Sequence, residues 1–303
     1  YKILMGGNLQ EFKPFVPVKP LPLDEIYDKE RETAKRLHER ALTQEQGNIL
    51  RNPEVITPEQ FIHLGGKDAL VDFASVLSGE MELTDAPQDI YCPDTFANSM
   101  VTMAEHSGLY DQETEQVVAT DGEGIYILNE PLRNGTYSCI NRYYSSGPVM
   151  EMPEGFKMQA IVHSHPPGVL DMQENNYKPE TTIETLARGS DNFSPQDVLA
   201  LLTEGSDEDF EQANASILVG TTHVNMLVRT KNTPKRILDD NSRESYEESK
   251  KLATEIREIL RIDLDKAVHP QNLANLVRLR DKYGLAVYRM DLRKAGLNVW
   301  KKI

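Results

Sequence analysis

Apolar residues in the first third of the chain recur mainly at helical spacing. Ile26, Ala34 and Leu37 fall on one face of a stretch over residues 24–42, and residues 68–79 repeat this pattern up to a glycine. Four prolines within residues 11–23 favour an extended segment before these helices. We therefore predict an accessory N-terminal region over residues 1–93, with a Pro-rich segment and helices.

From residue 94 onward, short β-branched runs replace much of the helical pattern. A helix is predicted over residues 94–108, with Phe96, Met100, Val101 and Ala104 on one face. Two apolar runs around the Asp121-Gly122 turn then indicate a β-hairpin. The further predicted elements are strands at 136–144 and 156–165, a helix at 193–205, and strands at 215–220 and 224–230. Residues 94–232 are therefore predicted to be an α/β domain, with a mixed β-sheet flanked by helices.

Beyond Lys231 the pattern becomes helical again. Residues 246–260 carry an apolar stripe, and residues 270–284 begin at Pro270 and end at Gly284, which suit a first helical turn and a helix end. We predict a helical C-terminal extension over residues 233–303.

Composition excludes several classes of function. The net charge of −15 disfavours nucleic acid as a partner. No run approaches the ~18 apolar residues of a membrane helix, and no signal peptide is recognisable, so we expect no membrane partner. Cys92 and Cys139 are the only cysteines, which fits the cytoplasm and leaves histidine and carboxylate side chains to bind any metal.

The strongest candidate chemistry lies in MQAIVHSHPPG, residues 158–168. His163 and His165 project to the same side of a strand, and Pro166 and Pro167 prevent further strand pairing after them. Such a pair can bind one metal ion. By itself it equally fits two polar residues at the end of a strand.

A second motif, Ser194-Pro195-Gln196-Asp197, has two readings. Ser194 suits a helix N-cap, Pro195 the first helical position, and Asp197 the third position of a capping box. The Asp197 carboxylate could alternatively become a third metal ligand. Two histidines and one carboxylate with an open fourth position are typical of a hydrolytic zinc.

Together the two motifs resemble the HxHP…SxxD signature of the JAB/MPN/JAMM metallopeptidase superfamily. This resemblance implies a JAMM/MPN-like, cytidine-deaminase-like fold over residues 94–232 and a zinc ion bound by His163, His165 and Asp197. It also implies that Ser194 supports the tetrahedral intermediate, that an upstream glutamate is the general base, and that the enzyme cleaves a peptide or isopeptide bond in a protein or peptide substrate.

The stretches SDNFSPQD and LVGTTHVNMLV are similar to the bacterial branch found in Rhs and polymorphic toxins. That similarity implies a secreted effector or toxin domain, delivered into a target cell, with an immunity or delivery protein as a further partner.

The position of the general base stays open between three glutamates. Glu113 best fits the family frame at the start of the first hairpin strand, although Gln116 replaces the family glycine. Glu105 and Glu115 are the alternatives. Residues 166–193 are longer than the corresponding family segment and form either a lid or a surface loop. These departures leave a catalytically inactive protein-binding scaffold as the alternative function. His223 is predicted to be exposed in a strand turn.

Overall fold

The computed structural model describes ten stretches of the chain. These stretches are residues 54–110, 114–129, 132–133, 150–165, 191–205, 213–234, 236–238, 243–262, 267–292 and 298–303. All of them belong to one compact unit, Arg51–Ile303. Several predicted features lie outside the described residues. They are the Pro-rich segment, the predicted helix at 24–42, Glu113, the predicted strand at 136–144 and most of the 166–193 segment.

A mixed β-sheet of ten strands forms the centre of this unit. Its strands are β2 (Phe61–Gly66), β3 (Asp89–Tyr91), β4 (Thr114–Thr120), β5 (Gly124–Leu128), β6 (Leu132–Arg133), β8 (Lys157–Ser164), β10 (Ala215–Val219), β11 (His223–Val228), β13 (Ala286–Asp291) and β14 (Val299–Lys302). In space, nine of these strands follow the order β2-β5-β4-β8-β10-β11-β13-β14-β3, and β6 also pairs with β4. Among these strands only β8 and β10 are parallel neighbours.

Two short parallel pairs lie apart from the large sheet. They are β1 (Glu54–Val55) with β7 (Met150–Glu151), and β9 (Thr203–Gly205) with β12 (Arg236–Leu238).

Helices cover both faces of the sheet. They are α1 (Val71–Leu77), α2 (Asp94–Tyr110), α3 (Pro195–Leu202), α4 (Arg243–Leu260) and α5 (Val268–Tyr283). One core cluster joins α1 and α2 to side chains such as Val162 and Ile217, and another joins α3, α4 and α5 to Leu218 and Leu227. The central strands are therefore buried on both faces, which explains their continuous apolar sequences.

Local sequence explains where these elements turn and end. Asp121 Oδ1 accepts hydrogen bonds from the Glu123 and Gly124 N–H groups and closes the turn between β4 and β5, as the Asp-Gly signal predicts. Helix α5 ends at Gly284, whose φ of 63° lies in the left-handed region and whose N–H donates to the Arg280 carbonyl.

The structure confirms a mixed α/β architecture and adds strands that the sequence pattern did not predict. Strands β2 and β3 come from the first predicted segment, and β13 and β14 follow the two helices of the last segment. Because these strands extend the same sheet, the boundaries predicted at residues 93 and 232 both fall inside one compact unit.

Candidate metal centre

Strand β8 places His163 on the sheet face that α3 covers. In the register, His163 lies between Glu115 of β4 and Leu218 of β10. Leu218 belongs to the cluster with α3, whereas the adjacent Val162 belongs to the cluster with α2. Because side chains alternate along a strand, His163 faces α3 and Ser164 faces the opposite side.

His165 follows β8 directly and keeps the strand direction. Its N–H donates a hydrogen bond of 3.1 Å to the Val219 carbonyl at the end of β10. This bond continues the pairing with β10 by one residue. His163 and His165 therefore lie side by side, with ring centroids 5.1 Å apart.

The N-terminus of α3 brings a carboxylate to the two histidines. Ser194 Oγ accepts a hydrogen bond from the Asp197 N–H at 3.2 Å, and Asp197 Oδ2 accepts one from the Ser194 N–H at 2.6 Å. The capping box predicted from the sequence is therefore present. It also orients Asp197, because the carboxylate is held at the end of the helix.

The three candidate ligands converge at one point. Asp197 Oδ2 lies 3.3 Å from His163 Nε2 and 3.5 Å from His165 Nε2. One possible ligand atom from each residue lies within 4.8 Å of the others, and all three residues are buried. The Asp197 side chain therefore caps α3 and also lies where a metal ligand would be, so the two predicted roles are compatible.

The electrostatics keep the carboxylate charged. Burial alone would raise the pKa of Asp197, but the adjacent His163 and His165 rings outweigh burial and hold this pKa well below its usual range. Asp197 is therefore an anion at neutral pH, as a metal ligand must be.

The surroundings of the His163 ring fit a metal ion. Neither ring nitrogen of His163 makes a hydrogen bond, although the side chain is buried, and Nε2 contacts Asp197 Oδ2 at 3.3 Å. Buried polar atoms are normally hydrogen-bonded, so a further partner shared with this carboxylate would complete the environment of the ring. Two imidazoles and one carboxylate form a donor set that suits zinc and related divalent metals. This buried group could therefore bind a metal ion.

The structure describes two of the three candidate glutamates, and their positions differ. Glu115 is buried and lies directly opposite His163 in the β4–β8 pairing, so both side chains project from the same face. Glu105 is exposed on α2, the helix that covers the other face. The structure brings Glu115 to His163 and leaves Glu105 away from it. Glu113 lies outside the described residues and stays a prediction.

His223 differs from its prediction, because it is buried rather than exposed. Its Nδ1 atom lies 3.1 Å from Asp191 Oδ2. Sequence reasoning gave Asp191 no role of its own, because its partners lie about thirty residues further along the chain.

Comparisons with protein-family models, with curated proteins and with solved structures find no match for this chain. The resemblance to the JAMM superfamily therefore depends on the motifs themselves. In the part of the chain that the structure describes, no helix is both long enough and apolar enough to cross a membrane.

Proposed function

We propose that this protein is a zinc-dependent hydrolase of the JAMM type that cleaves a peptide or isopeptide bond. The observation that carries the proposal is the convergence of His163, His165 and Asp197 at one buried point. The motif resemblance supports the same reaction class.

The number of ligands favours a catalytic rather than a structural metal. Structural zinc sites are closed by four protein ligands, usually with several cysteines, whereas catalytic sites keep a position open. Among the residues that the structure describes, the convergent group offers three ligands, and none of them is a cysteine. Zinc bound there would supply a Lewis acid and lower the pKa of a coordinated water towards ~7.

The chain's own residues would supply the remaining steps. A glutamate carboxylate next to the ligands would accept a proton from the attacking water and return it to the leaving amine. The register of β4 supports Glu115 for this role, whereas the family frame favours Glu113. The Ser194 hydroxyl accepts from the Asp197 N–H, and its own hydrogen could be donated to the developing oxyanion.

Mass-spectrometric mapping of cleaved bonds in a cell lysate tests this function. Lysates are treated with zinc-loaded wild-type protein and with the Glu113→Gln, Glu115→Gln and Asp197→Asn variants. We expect new peptide termini or released isopeptide-linked chains with the wild type. In Asp197→Asn and in one of the two glutamine variants, the yield of these products should fall by at least about 100-fold, the lower range for general acid–base catalysis.

Glu105→Gln serves as the matched control, because Glu105 is exposed on the opposite side of the sheet. It should cleave as the wild type does. Cleavage that survives in Asp197→Asn would contradict the proposal. A wild type that binds zinc but cleaves nothing would instead support the protein-binding scaffold.

A further inference from the structure

The segment just before α3 is anchored at three successive residues. The Asn192 amide donates a hydrogen bond of 3.0 Å to the Leu260 carbonyl at the end of α4. Phe193 is buried in the core, and its ring meets the His163 ring edge-on at a centroid distance of 6.4 Å. Asp191, the first residue, makes the largest number of these contacts and is itself buried.

The carboxylate of Asp191 is bound to the turn between β10 and β11. Its Oδ1 atom accepts hydrogen bonds from the N–H groups of Thr222 at 3.1 Å and His223 at 3.2 Å. Its Oδ2 atom accepts a short hydrogen bond from the Thr222 hydroxyl and lies 3.1 Å from His223 Nδ1. Arg289 Nη2 lies 3.9 Å from the same oxygen. Hydrogen-bond donors and a positive charge therefore surround one buried anion.

The backbone is adapted to this contact on both sides. The Asn225 amide donates a hydrogen bond of 2.6 Å to the Asp191 carbonyl, so β11 holds the main chain as well as the side chain. At Gly220, a Cβ atom would collide with the Asp191 carboxylate. Glycine at position 220 thus allows the close approach between the turn and the segment.

These contacts lead directly to a candidate metal ligand. Two residues, Asn192 and Phe193, lie between Asp191 and the N-cap Ser194, and the capping box connects Ser194 to Asp197. Because each intervening side chain is also anchored, a shift at Asp191 would move the end of α3. The same turn follows β10, whose last residue, Val219, accepts from the His165 N–H. The Asp191 contact therefore joins the segment that presents Asp197 to the strand that holds His165.

We propose that Asp191 is a positioning residue for the metal centre. Its buried carboxylate fixes the N-terminus of α3 against the β10–β11 turn and so holds Asp197 at the correct distance from His163 and His165. This inference rests on the proposed metal site and adds a residue to which neither the motifs nor the resemblance assigned a role.

The Asp191→Asn variant tests the proposal, because it keeps the shape of the side chain and removes its charge. One of the two acceptor oxygens becomes an NH₂ group that faces donors from Thr222, His223 and Arg289. We expect zinc affinity, measured by competition with a chromogenic chelator, to fall about 10- to 100-fold, the usual range for outer-shell partners of metal ligands. The visible absorption bands of the Co²⁺-loaded protein should shift, because the ligand geometry changes.

Asp121→Asn is the matched control. Asp121 also accepts hydrogen bonds from two backbone N–H groups in a turn between strands. It lies at the end of β4 far from Glu115, about 20 Å along the strand. This variant should keep the wild-type zinc affinity and Co²⁺ spectrum, even if its unfolding temperature falls.

Thr222→Val provides a second variant that removes only one hydroxyl donor to Asp191. Its zinc affinity should fall in the same direction and by a smaller factor, and this variant decides the question if Asp191→Asn does not fold. Folded variants that keep the wild-type zinc affinity and Co²⁺ spectrum would overturn the inference, and so would a lower unfolding temperature with an unchanged spectrum. A wild type that binds neither metal would instead overturn the proposed function.

Discussion

His163 and His165 show how burial changes the interpretation of two polar residues at a strand end. Both are almost fully inaccessible, as is Asp197. Burying a polar group without a partner costs roughly 1–3 kcal/mol by mutational measures, and burying an isolated charge costs far more. A metal ion shared by the three residues would give the buried His163 ring, which makes no hydrogen bond, a further partner. Strand-end polarity alone predicts exposed side chains and does not explain their convergence.

The Ser194 hydroxyl should stabilise the fold even without metal. Replacing Ser194 with alanine removes the acceptor for the Asp197 N–H, so we expect a loss of about 1 kcal/mol in the free energy of unfolding. Urea denaturation of metal-free protein measures this difference. Ser194→Thr, which keeps the hydroxyl, should lose less. An alanine variant as stable as the wild type would show that the cap contributes nothing.

The Cys92 thiol should be unreactive in the folded protein. Burial raises its pKa to about 11, although the neighbouring Trp300 side chain opposes part of this rise. At about pH 8 only on the order of 0.1% of this thiol is ionised, and the fraction rises as the pH approaches the raised pKa. In a Cys139→Ser variant, where Cys92 is the only cysteine, a thiol reagent should react slowly until guanidinium unfolds the chain. Rapid reaction of the folded variant near neutral pH would contradict the burial of Cys92.

At the scale of single residues, the sequence predicted which residues lie together when they are only two or three positions apart in the chain. His163 and His165 are two positions apart and Ser194 and Asp197 three apart, so strand and helix periodicity place each pair without tertiary information. Asp191 and His223 meet across 32 residues, and their partnership depends on the path of the chain between them. No periodic pattern records such a contact, which is why His223 was predicted to be exposed.

Among the elements, the long helices and the hairpin with a clear turn signal were predicted, whereas four strands at the two ends of the chain, β2, β3, β13 and β14, were not. The β4–β5 hairpin has an Asp-Gly turn between β-branched runs, and α5 has Pro270 in its first turn and Gly284 directly after its last residue. Strand β14 has only four residues, two of them lysines, and therefore lacks a clear apolar alternation. Its neighbours in the sheet determine its conformation, as is general for strands.

In the α2 helix, the sequence pattern predicted the helix correctly but not the full extent of its buried face. Its helical pattern was correct, and Phe96 and Met100 are fully buried as predicted. Val101, placed by the pattern on the same face, is 39% exposed, whereas Met103 is fully buried. Apolar spacing indicated that one face is buried, and the sheet contacts decide where that face ends.

Strand β14 should matter to stability despite its length, because it carries the fully buried Trp300 between β13 and β3. The Trp300→Ala variant should lose about 3–5 kcal/mol in the free energy of unfolding, from lost burial and the cavity that remains. Chemical denaturation followed by circular dichroism measures this loss.

Lys301→Ala is the control in the same strand. The Lys301 side chain is 76% exposed and lies 3.7 Å from Asp89, an exposed ion pair that should contribute little. This variant should stay within about 0.5 kcal/mol of the wild type. Similar losses in both variants would argue against the described position of β14.

For the whole molecule, one sheet combines strands from the three segments that the sequence suggested. Residues 94–232 supply the candidate ligands, but β13 pairs with β11, and α4 and α5 cover the sheet face that α3 also covers. Composition shifts and helical patterns indicated boundaries at residues 93 and 232. They could not indicate that the flanking segments complete the sheet, because strand pairing between distant segments leaves no local pattern.

A fragment of residues 94–232 should therefore fail to fold cooperatively. Without the flanking segments, β11 loses its partner β13, and apolar residues such as Leu218 and Leu227 lose the cover of α4 and α5. We expect a broad urea transition or aggregation in gel filtration, in contrast to a sharp transition for residues 51–303. A sharply unfolding, monomeric 94–232 fragment would show that the predicted boundaries delimit an independent domain.

The central claim is that His163, His165 and Asp197 together bind a catalytic metal ion, and metal stoichiometry tests it most directly. Protein purified without chelators, and apo-protein titrated with Zn²⁺ in a calorimeter, should both contain one zinc ion per chain at this group. The Asp197→Asn and His163→Ala variants should lose this zinc, while Glu105→Gln keeps it. Wild-type protein without zinc, or variants that retain the full stoichiometry, would contradict the claim.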